Sequence, residues 1–282
     1  MGNPLLEITG EINLTDPALV LAIRGWVDGG LVASSFGDHL TRGGAVVAVF
    51  NPDDVFDYRS TRPTIEFSDK RAPTISWPEL VVKAVSIGDT DLLVLSGTEP
   101  NSRWQGIATE LVRLAQRTGV TKVVAAGAVP AAVPHTRPTP VMTTSSDPLL
   151  QAQGLPVGGL EVPAALVNTL SNRLATELGI PEVGFWALIP SYVSGAYWPG
   201  VQALVARVMT YLDSDLEVSE IAILADEMRS RLTHAMADHP ETLRFVERLE
   251  QATTGMLSDD GDIAEEIEQF LKSLGGEDNP FT

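Results

Sequence analysis

Six apolar runs recur along the first two thirds of the chain: ALVLAIR (18–24), AVVAVF (45–50), LVVKAVSI (80–87), DLLVLS (91–96), TKVVAAGAV (121–129) and VGFWALI (183–189). Each is too short for a buried helix and rich in the branched residues that suit a buried strand. Between them lie segments of helical periodicity. Residues 31–40 read as a helix. In 103–118, Trp104, Ile107, Leu111, Leu114 and Ala115 share one face, and Gly119 stands as a stop. A further helix over 163–178 ends at Gly179 and Pro181, and another over 199–212 begins at Pro199, a residue suited to a first helical turn. The chain thus opens strand–helix–strand, which predicts an α/β sheet with parallel neighbours. The stretch 51–79 differs, with Pro52, Pro63, Pro73 and Pro78 and short alternating pieces. It predicts an excursion of short strands, or a lobe beside the sheet. The turn GDTD (88–91) joins two strands, and 138–145 adds an extended piece.

After Ser214 the strand signal stops. Ile221, Leu224, Met228, Leu232 and Ala235 form one amphipathic face; Leu243, Val246 and Leu249 suggest a second helix. Ile263, Ile267, Phe270, Leu271 and Leu274 suggest a third, beyond a flexible joint at 256–262. The domain expectation is an α/β core over 1–213, an acidic helical appendage over 214–274 and a disordered tail over 275–282. The appendage has two candidate partners, the core and another copy of the chain.

Composition narrows the function classes. With 282 residues and 44% hydrophobic content the chain can bury a sizeable core. The net charge of −18 argues against binding nucleic acid, which needs basic groups on phosphates. Residues 212–282 carry 18 Asp/Glu against 5 Lys/Arg, so this final quarter supplies most of the excess. Such a surface keeps a helical face solvated, or docks a basic partner. The absence of cysteine excludes disulfides and thiol chemistry. No apolar run is long enough to span a bilayer, and MGNPLLEITG lacks the pattern of a secretory signal. A cytoplasmic location is expected, with no membrane partner.

Three loops follow apolar strands: GWVDGG (25–30), GTEPN (97–101) and VPAAVPHTR (129–137). In open α/β sheets ligands bind beyond the carboxyl ends of strands. This places Asp28, Glu99, His135 and Arg137 on a common rim, with Gly29 and Gly30 allowing close backbone approach and Glu161 joining from just before a helix. Two readings stand for each. Asp28 and Glu99 cap backbone N–H groups, or act as carboxylate partners. His135 moves a proton and Arg137 holds an anion, or both are consumed in structural hydrogen bonds within a loop stiffened by Pro134 and Pro138. GAYWPG (195–200), with Tyr192, lines a pocket or a subunit interface, or packs on the core.

Known signatures are missing. The spacings GxGxxG, GxxxxGK[ST] and GxSxG do not occur, and His234 and His239 stand five apart rather than in HExxH. No cofactor and no metal are expected.

Taken together, GWVDGG (25–30), SGTEPNSRW (96–104), GAVPAAVPHTRPTPV (127–141) and IPSYVSGAYWPG (189–200) resemble the proteasome assembly chaperone 2 family in its longer actinobacterial form. VPHTRP is the most specific piece. The resemblance implies a three-layer α/β/α sandwich similar to the phosphorylase/hydrolase-like fold. It also implies self-association or pairing with a related chain, and action by binding rather than catalysis, with proteasome subunits or another complex as partner. The family brings no catalytic set to map. Proteasome-binding tails often end in a hydrophobic residue, Tyr and any residue; this chain ends Pro280-Phe281-Thr282, without the Tyr. The leading expectation is a non-enzymatic, homo-oligomeric interaction or assembly protein. The alternative is a phosphorylase/hydrolase-like enzyme acting on a small anionic ligand at the strand-end rim.

Overall fold

The computed structural model describes residues 4–68, 71–145, 150, 163–237 and 240–256. Its elements run β1 (Leu6–Ile8), β2 (Ala18–Arg24), a 3-10 turn (Gly29–Leu31), α1 (Val32–Leu40), β3 (Ala45–Phe50), α2 (Pro52–Val55), β4 (Thr64–Ser68), β5 (Arg71–Ser76), β6 (Leu80–Ile87) and β7 (Thr90–Thr98). They continue with α3 (Trp104–Thr118), β8 (Lys122–Ala131), β9 (Val141–Ser145), α4 (Leu166–Leu178), β10 (Glu182–Pro190), α5 (Trp198–Leu212), α6 (Ser219–Ala237) and α7 (Pro240–Met256).

Eight strands form one mixed sheet in the order β1-β3-β6-β7-β2-β8-β10-β9. The inner four, β7, β2, β8 and β10, are parallel, and antiparallel pairings flank them on both sides. The apolar runs are continuous because both faces of the inner strands are buried. Along β2, Leu19, Leu21 and Ile23 enter one core while Ala18, Val20 and Ala22 enter the other. On the first face pack α2, α3 and α4; on the second, α1, α5 and α6. The result is a three-layer α/β/α sandwich. Each large apolar side chain so buried contributes roughly 1.5–3 kcal/mol.

Helix stops follow the expected chemistry. Gly119 and Gly179 close α3 and α4 at φ 68° and 64°, the left-handed region that glycine occupies without penalty. Close packing fixes another glycine. A Cβ on Gly127 of β8 would lie 2.4 Å from the Trp186 ring on β10, so the gap in an otherwise apolar run makes room for an indole.

One expectation about the strands changes. β2 and β3 point the same way but are not neighbours, because the β6–β7 hairpin lies between them. A sequence repeat of strand and helix does not encode which strands later insert. The stretch 51–79 does leave the sheet, as the short α2 and the separate antiparallel pair β4–β5.

The helices after Ser214 lie on the core. Ile221 and Ala225 of α6 are buried against the second face, with Met228 and Leu232 packed beside them. The carbonyl of Glu217 meets His39 Nε2 at 3.0 Å, and Arg42 pairs with Glu220. The third helical pattern and the tail at 275–282 lie outside the described residues.

Candidate functional site

The four parallel strands end on one edge of the sheet, so the loops after them share a rim. Backbone bonds tie this rim together. Ala128 N donates to Val27 O at 2.7 Å, and Asp28 forms an isolated parallel bridge with Ala128. Tyr197 N donates to Gly30 O at 2.8 Å. Gly30 has φ 58°, and a Cβ there would lie 2.8 Å from Tyr197 Cβ, so only glycine fits on both counts. Gly29 rests on Ala128 O and Pro130. GWVDGG and GAYWPG, far apart in sequence, are thus two sides of one packed joint. Tyr197 is buried in it, its hydroxyl held above the ordinary phenol range by burial.

Glu99 reaches across the rim. Trp26 N donates to Oε2 at 2.9 Å, and Leu166 N, at the first turn of α4, donates to Oε1 at 2.7 Å. Gly25 makes this possible, since a Cβ there would sit 2.4 Å from Glu99 Oε2. The carboxylate closes a helix N-terminus and a strand-exit loop at once. Asp28 is buried and accepts from Ser34 N at 3.1 Å and from Ser34 Oγ at 2.7 Å, both in the first turn of α1. Burial raises its carboxyl above the ordinary range, and the Ser34 bonds oppose that rise.

His135 is 1% exposed. Tyr192 Oη lies 2.9 Å from both its backbone N and its Nδ1, and Thr233 Oγ1 of α6 lies 3.2 Å from its Nε2. Thr233 Oγ1 donates onward to Arg229 O at 2.9 Å. One proton arrangement satisfies every group. The backbone N–H donates to Tyr192 Oη, the Tyr192 hydroxyl donates to Nδ1, and Nε2–H donates to Thr233. That is a neutral imidazole. Burial lowers the His135 pKa, partly countered by the charge of Glu250. Burial also pushes the Tyr192 hydroxyl up to about 12. Next to His135, Thr136 donates to Glu250 of α7, and Tyr192 stacks edge-on against Phe245 at 6.1 Å. The VPHTRP loop is therefore the seat on which α6 and α7 rest.

Arg137 is exposed and makes no hydrogen bond or ion pair to a described residue. Glu161 lies outside the described residues. Among the described residues no hydrogen bond or ion pair joins any two of Asp28, Glu99, His135 and Arg137. No group of three or more His, Asp or Glu is placed to hold a metal ion among them either. No helix of the described residues is long and apolar enough to cross a membrane.

An open cleft of about 420 Å³ does lie at this edge, on the α1 side of β2 and β7. Its lining includes Arg24, Ser34, Asp38, Trp77, Glu79 and Thr98, with none of the four rim residues named from sequence. The available signals were slight. Arg24 is the one charge ending an apolar strand, and Ser34 and Asp38 stand four apart, hence on one helical face. Tyr192 stands out in sequence only as an aromatic beside GAYWPG, with nothing to tie it to His135, and Thr233 carries no local signal.

The family model that matches this chain is that of the PAC2 family, over residues 22–236. A Mycobacterium tuberculosis protein of unknown function is 28% identical, with 98% of each chain covered and a TM-score of 0.89. A PAC2 family protein from Streptomyces avermitilis is 33% identical over 82% of this chain and 100% of its own, with a TM-score of 0.73. A proteasome-assembly chaperone homologue of M. tuberculosis is 28% identical over 81% of this chain and 99% of its own, also at 0.73. No protein of curated function matches the chain. The matched span begins within β2 and runs to the end of α6, taking in every rim loop and the seat of the helices. The chain belongs to the PAC2 family.

Proposed function

We propose that the chain is an assembly-chaperone-like protein that acts by binding other proteins, in the cytoplasm, as a homo-oligomer, with proteasome subunits as the partner class. Its relative is a proteasome-assembly chaperone homologue, and its own rim favours binding over chemistry. The observation that carries this reading is the engagement of the rim's polar groups. Both Glu99 oxygens hold backbone N–H groups, and both ring nitrogens of the buried His135 are bonded to side-chain hydroxyls. A general base needs free access to a substrate proton. Here the same residues fix loops and seat helices.

What is left exposed suits recognition. Trp26 and Leu31 on the rim, and Ile65, Phe67, Ile75 and Trp77 on or beside the β4–β5 arm, present apolar side chains to solvent, Phe67 at 75% exposure. Aromatic side chains of this kind anchor protein interfaces. A two-stranded arm is marginal on its own and gains most from a partner.

The test is affinity capture of the tagged full-length chain from lysate of its own source cells, read by mass spectrometry. Proteasome subunits should recur in independent captures and fall away with Phe67→Ala combined with Trp26→Ala. Recovery of the chain alone, or of subunits unaffected by those substitutions, counts against the proposal.

A further inference from the structure

We infer that the cleft at the ends of β2 and β7 is a binding site for a small zwitterion of the α-amino-acid class. Its position is fixed by the sheet. Ala22 pairs with Ser96 and Arg24 with Thr98, so the last residues of two parallel strands form the floor. Ser34 and Asp38 of α1 form one wall. Close approach of that helix is allowed by Gly37, where a Cβ would lie 2.9 Å from Ala22 Cβ. Glu79 and Trp77 form the other wall. Thr98 N donates to Glu79 O at 2.7 Å, and Gly97, at φ 121°, passes so close to the Glu79 carbonyl that no side chain fits.

Three charges line this one space: Arg24, Asp38 and Glu79, all exposed. The ion pairs of the described residues include none of them, so opposite charges face the same cleft without meeting. A ligand with one charge would satisfy one sign and lie against the other. A ligand with a carboxylate and an ammonium completes both, the carboxylate on Arg24 and the ammonium on Asp38 and Glu79. Trp77 supplies the apolar surface. It is 55% exposed, and its ring is steadied edge-on by Tyr58 at 4.8 Å. A planar side chain stacks there. The hydroxyls of Ser34, Ser96 and Thr98 complete a polar lining, and the buried carboxylate of Asp28, bonded to Ser34 Oγ, stands behind the wall. The volume falls within the range of small-molecule sites.

The site does not depend on a protein partner, so its test stands apart from that of the binding role. Isothermal titration calorimetry of the full chain with the standard L-amino acids should find saturable binding of an aromatic member at millimolar concentration or below. Phenethylamine and 3-phenylpropionate each lack one charge and should bind L-phenylalanine's site on the order of ten-fold more weakly, as should the amino acid to Arg24→Ala and to Asp38→Ala/Glu79→Ala. The altered side chains are exposed, so circular dichroism should show folded variants. Arg113→Ala, on α3 across the sheet, should leave affinity unchanged. Absence of binding by every amino acid overturns the inference. So does equal binding of the singly charged analogues, or affinity indifferent to the cleft variants.

Discussion

His135 illustrates how a titratable residue can be engaged by the fold itself. Its imidazole is buried, neutral and bonded at both nitrogens, linking a strand exit to Tyr192 and to α6. Replacing it with alanine empties the space of a buried ring and removes its bonds to Tyr192 and Thr233, and should cost about 2 kcal/mol, read from urea unfolding. Its pKa gives a second handle. Burial holds the folded value below the ordinary 6.5, so between the two values the unfolded chain binds a proton that the folded chain does not. The contribution of His135 is therefore intact above pH 6.5 and is lost as pH falls through that window. The unfolding midpoint should drop more between about pH 7.5 and 5.5 in the wild type than in His135→Asn. Equal drops would show that His135 is not held neutral. Gly30 makes the corresponding point for the backbone. Gly30→Ala meets both a left-handed φ and the Tyr197 side chain, and should cost about 3 kcal/mol in the same measurement.

Among the elements, the helices that follow the sheet are bound to it by chosen contacts. Ile221 and Ala225 supply burial, while the Arg42–Glu220 pair is exposed and adds little. Ile221→Ala should cost about 3 kcal/mol, and amide exchange should rise in α6 and α7 before it rises in the sheet. Glu99 does a comparable service on the opposite face of the rim. Glu99→Ala frees the N–H groups of Trp26 and Leu166 and should cost about 2 kcal/mol; Glu99→Gln, which keeps an acceptor, should cost less. These elements also show what periodicity can reveal. The strands and helices of the core were legible because burial on two faces, or on one helical stripe, writes itself into consecutive residues. β1, only three residues long, left no such trace. Strand order was hidden because pairing across the sheet depends on where the β6–β7 hairpin inserts. The rim was legible as a place, since loops after parallel strands must gather at one edge. The bonds made there were not. The partners of His135 lie 57 and 98 residues away, and nothing local distinguishes a histidine that moves protons from one that seats a helix.

At the scale of the whole molecule, a sandwich buried on both faces carries a rim sewn together by its own polar groups, and an arm that projects apolar residues into solvent. The acidic excess gathers in the last quarter of the sequence, while Arg59 and Arg62 stand exposed just before the β4–β5 arm. Such a surface is suited to holding other chains, which is the role we assign it. The most direct measurement is the assembly of purified proteasome subunits from the source organism, followed by native mass spectrometry with and without the full-length chain. A stoichiometric complex with incompletely assembled subunits should form and the complete particle should appear faster, both effects being diminished by Phe67→Ala with Trp26→Ala. No complex and an unchanged rate of assembly would contradict it.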